Sequence, residues 1–504
     1  MVTLLNSTVT TQLSARRRWA ALAVLMVPVL LVSVDNTALS FAIPSLSRDL
    51  APTGNQLLWI IDIYPLVLAA LLVTMGALGD RIGRRRILLI GGTGFAVVSA
   101  LAAFAPTAGA LIGARALLGF FGAMLMPATL SLIRNIFTDS TERRMAIAVW
   151  AAGFSGGAAL GPLVGGWLLE HFWWGSVFLI AVPVLVPLLV LGPILLPESR
   201  DPDPGPIDPR GILLATAALG FLVYAVKAAS EHGSLALVAA AVGVAALVGF
   251  VRRMLRTSHP MLDVRLFRNP VFSGALLVNL ASVVAIVGFI YFATQHLQLV
   301  AGLSPLNAAW LLVPGLVLTV SAGLGAVRAA RWLGSRQVII IGLSFNALGY
   351  AVMALFGHTG SLAVVLLAFG AISIGVGLSE TISNDLALSA VPEHKAGAAA
   401  AASETAYEVG AVLGTAVLGS LLNLAYRNGL QLPAGLSEEA SVQAQSTLGG
   451  AFEVAEDLAP VPAQALIDSA VASFDAGVTW TAAIGCLLSL AAVLVARRAL
   501  RAAD

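Results

Sequence analysis

The sequence predicts an all-α integral membrane protein with fourteen transmembrane helices, and three observations carry that prediction. First, only 28 basic and 26 acidic side chains occur among 504 residues, or 11%, against about 25% in an ordinary soluble domain. Second, 59% of the residues are hydrophobic and the mean hydropathy is +0.93. A chain this apolar does not cover a soluble surface, which excludes a string of soluble domains and a disordered or acidic-tail protein. Third, the apolar residues form long continuous runs rather than the alternation of a barrel strand, and a helix needs about 20 such residues to cross the hydrocarbon core.

The spans follow in order. Met1–Ser14 is polar and lacks a cleavable-signal pattern, so the first run, 19–42, is expected as a retained helix behind Arg16–Arg18. Runs 57–78 and 87–105 flank a loop of Gly, Asp and Arg; 108–133 and 145–168 are separated by Arg134, Arg143 and Arg144. The sixth run, 174–196, ends on a proline-rich linker, 197–210. Runs 211–229 and 234–251 are short and separated only by Glu231-His232-Gly233. After a second linker, 252–271, come 272–294, 305–327, 337–356, 361–384, 398–425 and, beyond a long loop, 477–496.

Orientation rests on Lys and Arg. With the N-terminus inside, 24 of the 28 basic residues fall in the cytoplasm; Arg48, Lys227 and Arg427 fall outside, and Arg115 lies within a span. The skew predicts an N-in, C-in topology. The expected organisation is a cytoplasmic N-terminus (1–18), a six-helix bundle (19–196), a linker (197–210), two inserted helices (211–251), a linker (252–271), a second six-helix bundle (272–496) and a cytoplasmic tail (497–504). The outer loop, 427–476, carries seven carboxylates against one Arg. It reads as a solvated loop with short Ala-rich surface helices, or as an acidic funnel that concentrates cations.

Three motifs carry mechanism. Between spans 2 and 3 runs Gly76-Ala-Leu78-Gly79-Asp80-Arg81-Ile-Gly83-Arg84-Arg85-Arg86. Glycine-permitted turns join the helices, Asp80 can sit near a helix N-terminus, and the Arg cluster can anchor to phosphates or partner helices. A weaker echo without the Asp, Gly325-Ala-Val-Arg328-Ala-Ala-Arg331-Trp-Leu-Gly334-Ser-Arg336, follows span 10 and suggests two related halves. Span 5 carries Gly153, Gly157, Gly161 and Gly165 at intervals of four, with Gly156, Pro162 and Gly166. Such a stripe lets a second helix approach closely, and Pro162 permits a kink. Span 4 holds Arg115 in Leu111-x-x-x-Arg115-x-x-x-Gly119. A lone intramembrane Arg should face the bundle and find a partner, as a structural clamp or as part of a coupling network.

The loop between spans 2 and 3 resembles the signature loop of the major facilitator superfamily. Gly157-x-x-x-Gly161-Pro162-x-x-Gly165-Gly166 is similar to the antiporter motif that marks exporters within it, and the Arg115 motif is similar to one associated with proton coupling.

The acids narrow the reading. At 1.5 Å per residue, Asp35 lies about 24 Å along span 1 and Asp62 about 8 Å below the outer surface on span 2. These two carboxylates share a depth, and Arg115, about 11 Å down span 4, comes within range of Asp35. Glu404 and Glu408, i and i+4 on span 13, share one face near the midplane beside Tyr407. Groups so placed suit proton exchange near neutral pH and, when deprotonated, bind a cation. That competition is the minimal chemistry of cation:proton antiport. Some of these acids can equally be structural, and Glu380 and Asp385 on span 12 read as structural or gate residues. Trp59, Tyr64, Phe154, Tyr291 and Tyr407 are candidates for cation–π contact with cargo.

Asp35-Asn36-Thr37-Ala38 and Trp59-Ile-Ile-Asp62-Ile-Tyr64 resemble the fourteen-span drug:proton antiporters, in particular the QacA/SmvA/LfrA-type branch. The resemblance implies a major facilitator fold of two six-helix halves plus two extra helices. It implies multidrug efflux of lipophilic cations such as quaternary ammonium compounds, biguanides and ethidium, in some members fluoroquinolones, from the bacterial cytoplasmic membrane. It assigns proton coupling or cation binding to Asp35, Asp62, Arg115, Glu404 and Glu408, and conformational roles to Gly76, Asp80, Arg81, Gly83, Arg84, Gly157, Gly161, Pro162, Gly165 and Gly166. The alternative is an exporter dedicated to one metabolite or antibiotic on the same fold.

No enzymatic constellation stands out at midplane. No cofactor is expected beyond the proton as coupling ion: there is no Gly-x-x-x-x-Gly-Lys-Ser/Thr loop, one cysteine (Cys486) and no metal-ligand spacing among six His. The expected partners are small cationic amphiphiles and the lipid bilayer, with no nucleic acid, and the functional unit is expected to be a monomer.

Overall fold

A computed structural model describes residues 14–200, 208–228, 233–257, 260, 262–391 and 396–502. Residues 1–13, the linker segment 201–207, residues 229–232, 258, 259 and 261, residues 392–395 and residues 503–504 lie outside the described residues.

Among the described residues, fourteen helical spans are long and apolar enough to cross a membrane, as the sequence predicts. The N-terminal half contains α1 (Ala15–Asp49), α2 (Gly54–Ile82), α3 (Arg84–Ala102), α4 (Ala108–Ile136), α5 (Ser140–His171) and a kinked sixth span, α6 (Ser176–Leu179) and α7 (Ala181–Leu195). Two helices follow, α8 (Pro209–Ala228) and α9 (Gly233–Arg256). The C-terminal half contains α10 (Pro270–Gln295), which runs into a π-helical turn at His296–Val300, then α11 (Pro305–Leu333), α12 (Ser335–Phe356) and α13 (Leu362–Ser389). Its fifth span is α14 (Ala396–Leu413), continued through a π-helical turn at Gly414–Gly419 into α15 (Ser420–Gly429). Two short helices, α16 (Glu438–Ser446) and α17 (Leu448–Glu456), form a cap before α18 (Pro460–Ala499).

The expected outer loop of 427–476 is shorter than its sequence suggests. Its Ala-rich middle does form the short helices α16 and α17, but Pro460 starts the last helix well before the expected position 477. Pro at the first helical position supplies the start, and Phe474 and Leu466 bury its first turns against the C-terminal core.

The two halves repeat one packing plan. The first helix lies along the fifth (α1 on α5, α10 on α14) and the second along the fourth (α2 on α4, α11 on α13). The third closes on the fourth and sixth: α3 on α4 and α7, α12 on α13 and α18. The turn between second and third helices also repeats. Gly83 has φ +115° and Gly334 φ +84°, a region that favours glycine at both positions. The halves then join through exchanged pairs, α2 with α14 and α5 with α11. The inserted α8 packs on α2 and the Gly414–Gly419 turn, so it covers one of these two seams. At the linker end of α8, Asp208 caps the helix by accepting from the Gly211 N–H (3.0 Å) and holds Arg253 of α9 (2.8 Å). The hydrogen bond from Arg253 lowers its carboxyl below the usual range.

The halves are clasped at the cap end. One apolar cluster there mixes Phe41, Ile43, Leu57 and Leu58 with residues of α10, α11, α13 and α18. Gln298 Nε2 donates to the Phe41 carbonyl (3.1 Å), and Ser304 Oγ donates to Glu170 (3.4 Å). Of the other clusters among the described residues, three draw on one half alone, and one joins Leu66 of α2 to Val412 and Ala416 of the C-terminal half through Val223 of α8.

Candidate functional site

The glycine stripe of α5 faces α1, the helix that carries Asp35. A methyl group on Gly157 would stand 2.9 Å from Ser33 Cβ and 3.0 Å from the Leu30 carbonyl; one on Gly165 would stand 3.0 Å from Ala38 Cβ. A Cβ on Gly161 would strike Thr37, and Ser33 Oγ donates to the Phe154 carbonyl across the same contact. Gly166 meets α11 of the other half, its Cβ position 2.9 Å from the Pro305 carbonyl. Pro162 sits inside α5, which continues through it. Gly157→Ala is therefore expected to cost about 1–3 kcal/mol, read as a lower thermal midpoint in detergent. Gly156→Ala, whose Cβ meets nothing within 4 Å, serves as the neutral control.

The signature loop is built as a clasp at the Arg-rich end. Asp80 pairs with Arg84 across Gly83 (2.8 Å) at the start of α3. Glu198, after α7, accepts from the Arg85 backbone N–H (3.1 Å) and lies 3.8 Å from Arg85 Nε and 3.9 Å from Arg86 Nε. A side chain on Gly83 would run into Glu198. Gly76 packs near Pro127 of α4, and Arg81 is exposed.

Asp35 and Arg115 form a buried ion pair. Arg115 Nη1 lies 2.7 Å from Asp35 Oδ2, with the two side chains 2% and 5% exposed. Arg115 Nε donates to the Ile60 carbonyl (3.1 Å), and the guanidinium sits 4.4 Å from the Tyr64 ring centroid. Gly119 and Gly122, further along α4, let α2 come this close: a Cβ on Gly119 would stand 2.6 Å from the Tyr64 carbonyl.

Asp62 is fully buried, and its neighbours include two that sequence reasoning missed. Thr415, in the π-helical turn of the other half, donates to one carboxylate oxygen. Lys227 Nζ lies 2.8 Å from the other and 4.1 Å from the Trp59 ring centroid. The sequence places Lys227 at the outer end of run 211–229. It lies in the last turn of α8 as that run implies, but is 2% exposed inside the bundle rather than at its surface. The available signal was one lysine at the end of an apolar run, which positive-inside counting reads as a loop residue.

Glu404 and Glu408 lie on one face of α14, and Glu408 is 1% exposed. Among the described residues neither carboxylate is in an ion pair, and Glu408 Oε2 has no hydrogen-bond partner. Tyr407 meets Phe154 of α5 edge-on (6.1 Å), and Phe154 stacks on Trp150 (6.4 Å). Two aromatic rings of the N-terminal half thus reach Tyr407, which sits between the C-terminal acids in sequence. Glu380 of α13 lies within Coulomb range of Glu404, and Arg115 within that of Glu408. Glu380, expected as structural or gating, shares the acid cluster. Tyr291 packs in the apolar cluster shared by the halves, against Gly419, and lies within range of the Asp62 charge.

The Major Facilitator Superfamily profile matches residues 25–415. The chain belongs to the Major Facilitator Superfamily. It is 53% identical to the multidrug efflux pump LfrA of Mycolicibacterium smegmatis over 503 residues, covering 99% of this chain and 100% of that one. It is 39% identical to the methyl viologen resistance protein SmvA of Salmonella typhimurium, with 91% and 93% covered. The tetracenomycin C resistance and export protein of Streptomyces glaucescens is 32% identical, with 81% and 76% covered. Among solved structures, an inward-facing, unoccupied bacterial homolog of the human lysosomal transporter Spinster aligns with TM-score 0.64 at 18% identity, covering 96% of this chain and 99% of that one, which shows the shared fold. This superfamily member is accordingly a drug efflux transporter, not an enzyme, and a multi-pass protein of the bacterial inner membrane.

Proposed function

We propose that this transporter exports lipophilic cations in exchange for protons. The observation that carries the reading is the placement of Glu404 and Glu408 beside Tyr407, whose ring meets Phe154 of the other half, without a basic side chain in ion-pair range among the described residues. A buried carboxylate is costly unless a proton or a positive charge neutralises it. Aromatic faces beside it favour an organic cation over a hydrated metal ion. Proton and cargo then compete for one set of acids, which is what antiport requires. The relative SmvA is named for resistance to methyl viologen, an aromatic dication, which accords with this cargo class.

With the N-terminus inside, the cap end, where the halves are clasped, is external, and cargo approaches from the cytoplasmic side. Cargo binds there to ionised acids, the halves rock, and external protons release it. Asp35, Asp62, Arg115, Glu404 and Glu408 are the coupling and binding set in this reading. Each charge moved through 100 mV is worth about 2.3 kcal/mol, so the proton gradient and membrane potential supply the driving force.

Ethidium accumulation into energised inverted vesicles tests the reading. Accumulation is expected to collapse with a protonophore; accumulation that persists after the gradient and potential are gone defeats it. The similarity to the tetracenomycin C export protein keeps a dedicated exporter as the second reading, and failure of structurally unrelated cations to compete with ethidium would favour that one.

A further inference from the structure

The two inserted helices have no counterpart in the repeated packing plan, and the C-terminal turn of α8 places a cation where cargo is expected to bind. Lys227 Nζ sits 2.8 Å from Asp62 Oδ2 and over the Trp59 indole, 4.1 Å from its centroid. A carboxylate and an aromatic face converging on one ammonium is the chemistry that recognises an organic cation. Here the organic cation is part of the chain. Trp59 and Lys227 also line a polar cavity of about 590 Å³, whose other walls include Gln56, Asn423, Arg427 and Gln445 at the cap end.

Asp62 is fully buried. A charge in that position requires a partner, because leaving it alone in a dry interior is far costlier than either paired arrangement. Three partners fit: a proton, the Lys227 ammonium and a cargo cation. They exclude one another on the same oxygen. The lysine is a point charge on a flexible four-carbon stem, so it can withdraw into the polar cavity without unfolding α8.

We propose that Lys227 is a tethered resident cation that holds Asp62 in the cargo-free state, and that cargo binds at Asp62 by displacing it. The inserted helices thereby supply a specificity-determining group: a cargo must out-compete a lysine for a carboxylate and an indole. The inference rests on the cationic-cargo reading and adds to it the exchange at Asp62.

The chain has two lysines, Lys227 and Lys395, which makes the exchange measurable. In a K395R background, full-length protein in lipid nanodiscs is labelled with a membrane-permeant amine-reactive ester, and modification of Lys227 is followed by peptide mass spectrometry. Ethidium binding is measured in parallel by fluorescence anisotropy. The expected result is slow labelling of the cargo-free protein, and labelling several-fold faster with saturating ethidium. D62N should label fast with or without ethidium. In a second variant, K227M, ethidium should bind several-fold tighter, while K227R should restore the wild-type affinity. If ethidium binds with wild-type stoichiometry but Lys227 labelling does not change, and K227M binds no tighter, the lysine is a structural clamp and the exchange is overturned. If ethidium does not bind at all, the cationic-cargo reading fails and this inference falls with it.

Discussion

Replacing Asp35 by Asn is expected to abolish ethidium efflux and to destabilise the protein by about 3–5 kcal/mol, the typical cost of removing one partner from a buried ion pair. Arg115 is 2% exposed, and its Nη1 group is directed at Asp35 at 2.7 Å. The carboxamide keeps the shape and one acceptor but leaves the guanidinium uncompensated, with only the Ile60 carbonyl and the Tyr64 face to hold it. The consequences reach beyond α1. Arg115 lies within Coulomb range of both Asp62 and Glu408, so an unpaired guanidinium changes the field at the acids of both halves. The double variant D35N/R115Q separates the two effects. It should recover most of the lost stability, since no buried charge is left over, and still not transport. Thermal unfolding in detergent and vesicle efflux read these outcomes. A D35N protein with wild-type stability and efflux would remove the pair from both the fold and the mechanism.

The parts of this site that the sequence makes legible are those governed by depth along a helix. Span number follows from continuous apolar runs, because each helix must satisfy its own backbone in lipid. Asp35 and Arg115 meet because rise per residue places them at one level on neighbouring helices. The α5 stripe predicts a close helix neighbour, and α1 is that neighbour. What depth cannot supply is azimuth and long-range pairing. Lys227 and Asp62 are separated by more than half the N-terminal half of the chain, and nothing local marks the lysine as inward-facing. Thr415 reaches Asp62 from a π-helical turn, whose extra residue shifts the helix face in a way no regular 3.6-residue pattern anticipates. Residues 460–476 do not read as part of a span because Ala, Ser, Gln and Asp dilute the apolar run, although the helix is continuous. Glu380 was set apart from Glu404 for the same reason as Lys227: the two acids approach across α13 and α14.

Replacing Glu404 or Glu408 by Gln is expected to have the opposite balance, with coupled efflux lost and stability within about 1 kcal/mol of wild type. Asp35 neutralises an arginine, whereas neither glutamate is in an ion pair among the described residues. Removing either charge leaves no orphaned cation in an ion pair, and Gln fills nearly the same volume. What disappears is the group on which proton and cargo exclude one another. The observable signature is uncoupling: ethidium should still equilibrate down its gradient through E404Q, but should no longer accumulate uphill when a pH gradient is imposed. Glu380→Gln should act more weakly, because Glu380 lies on α13 and influences Glu404 through its field. Uphill accumulation that survives in both E404Q and E408Q would move the coupling step away from α14. It would leave the Asp35 and Asp62 sites of the N-terminal half to carry it, where Lys227 would then be the resident charge that protons must displace.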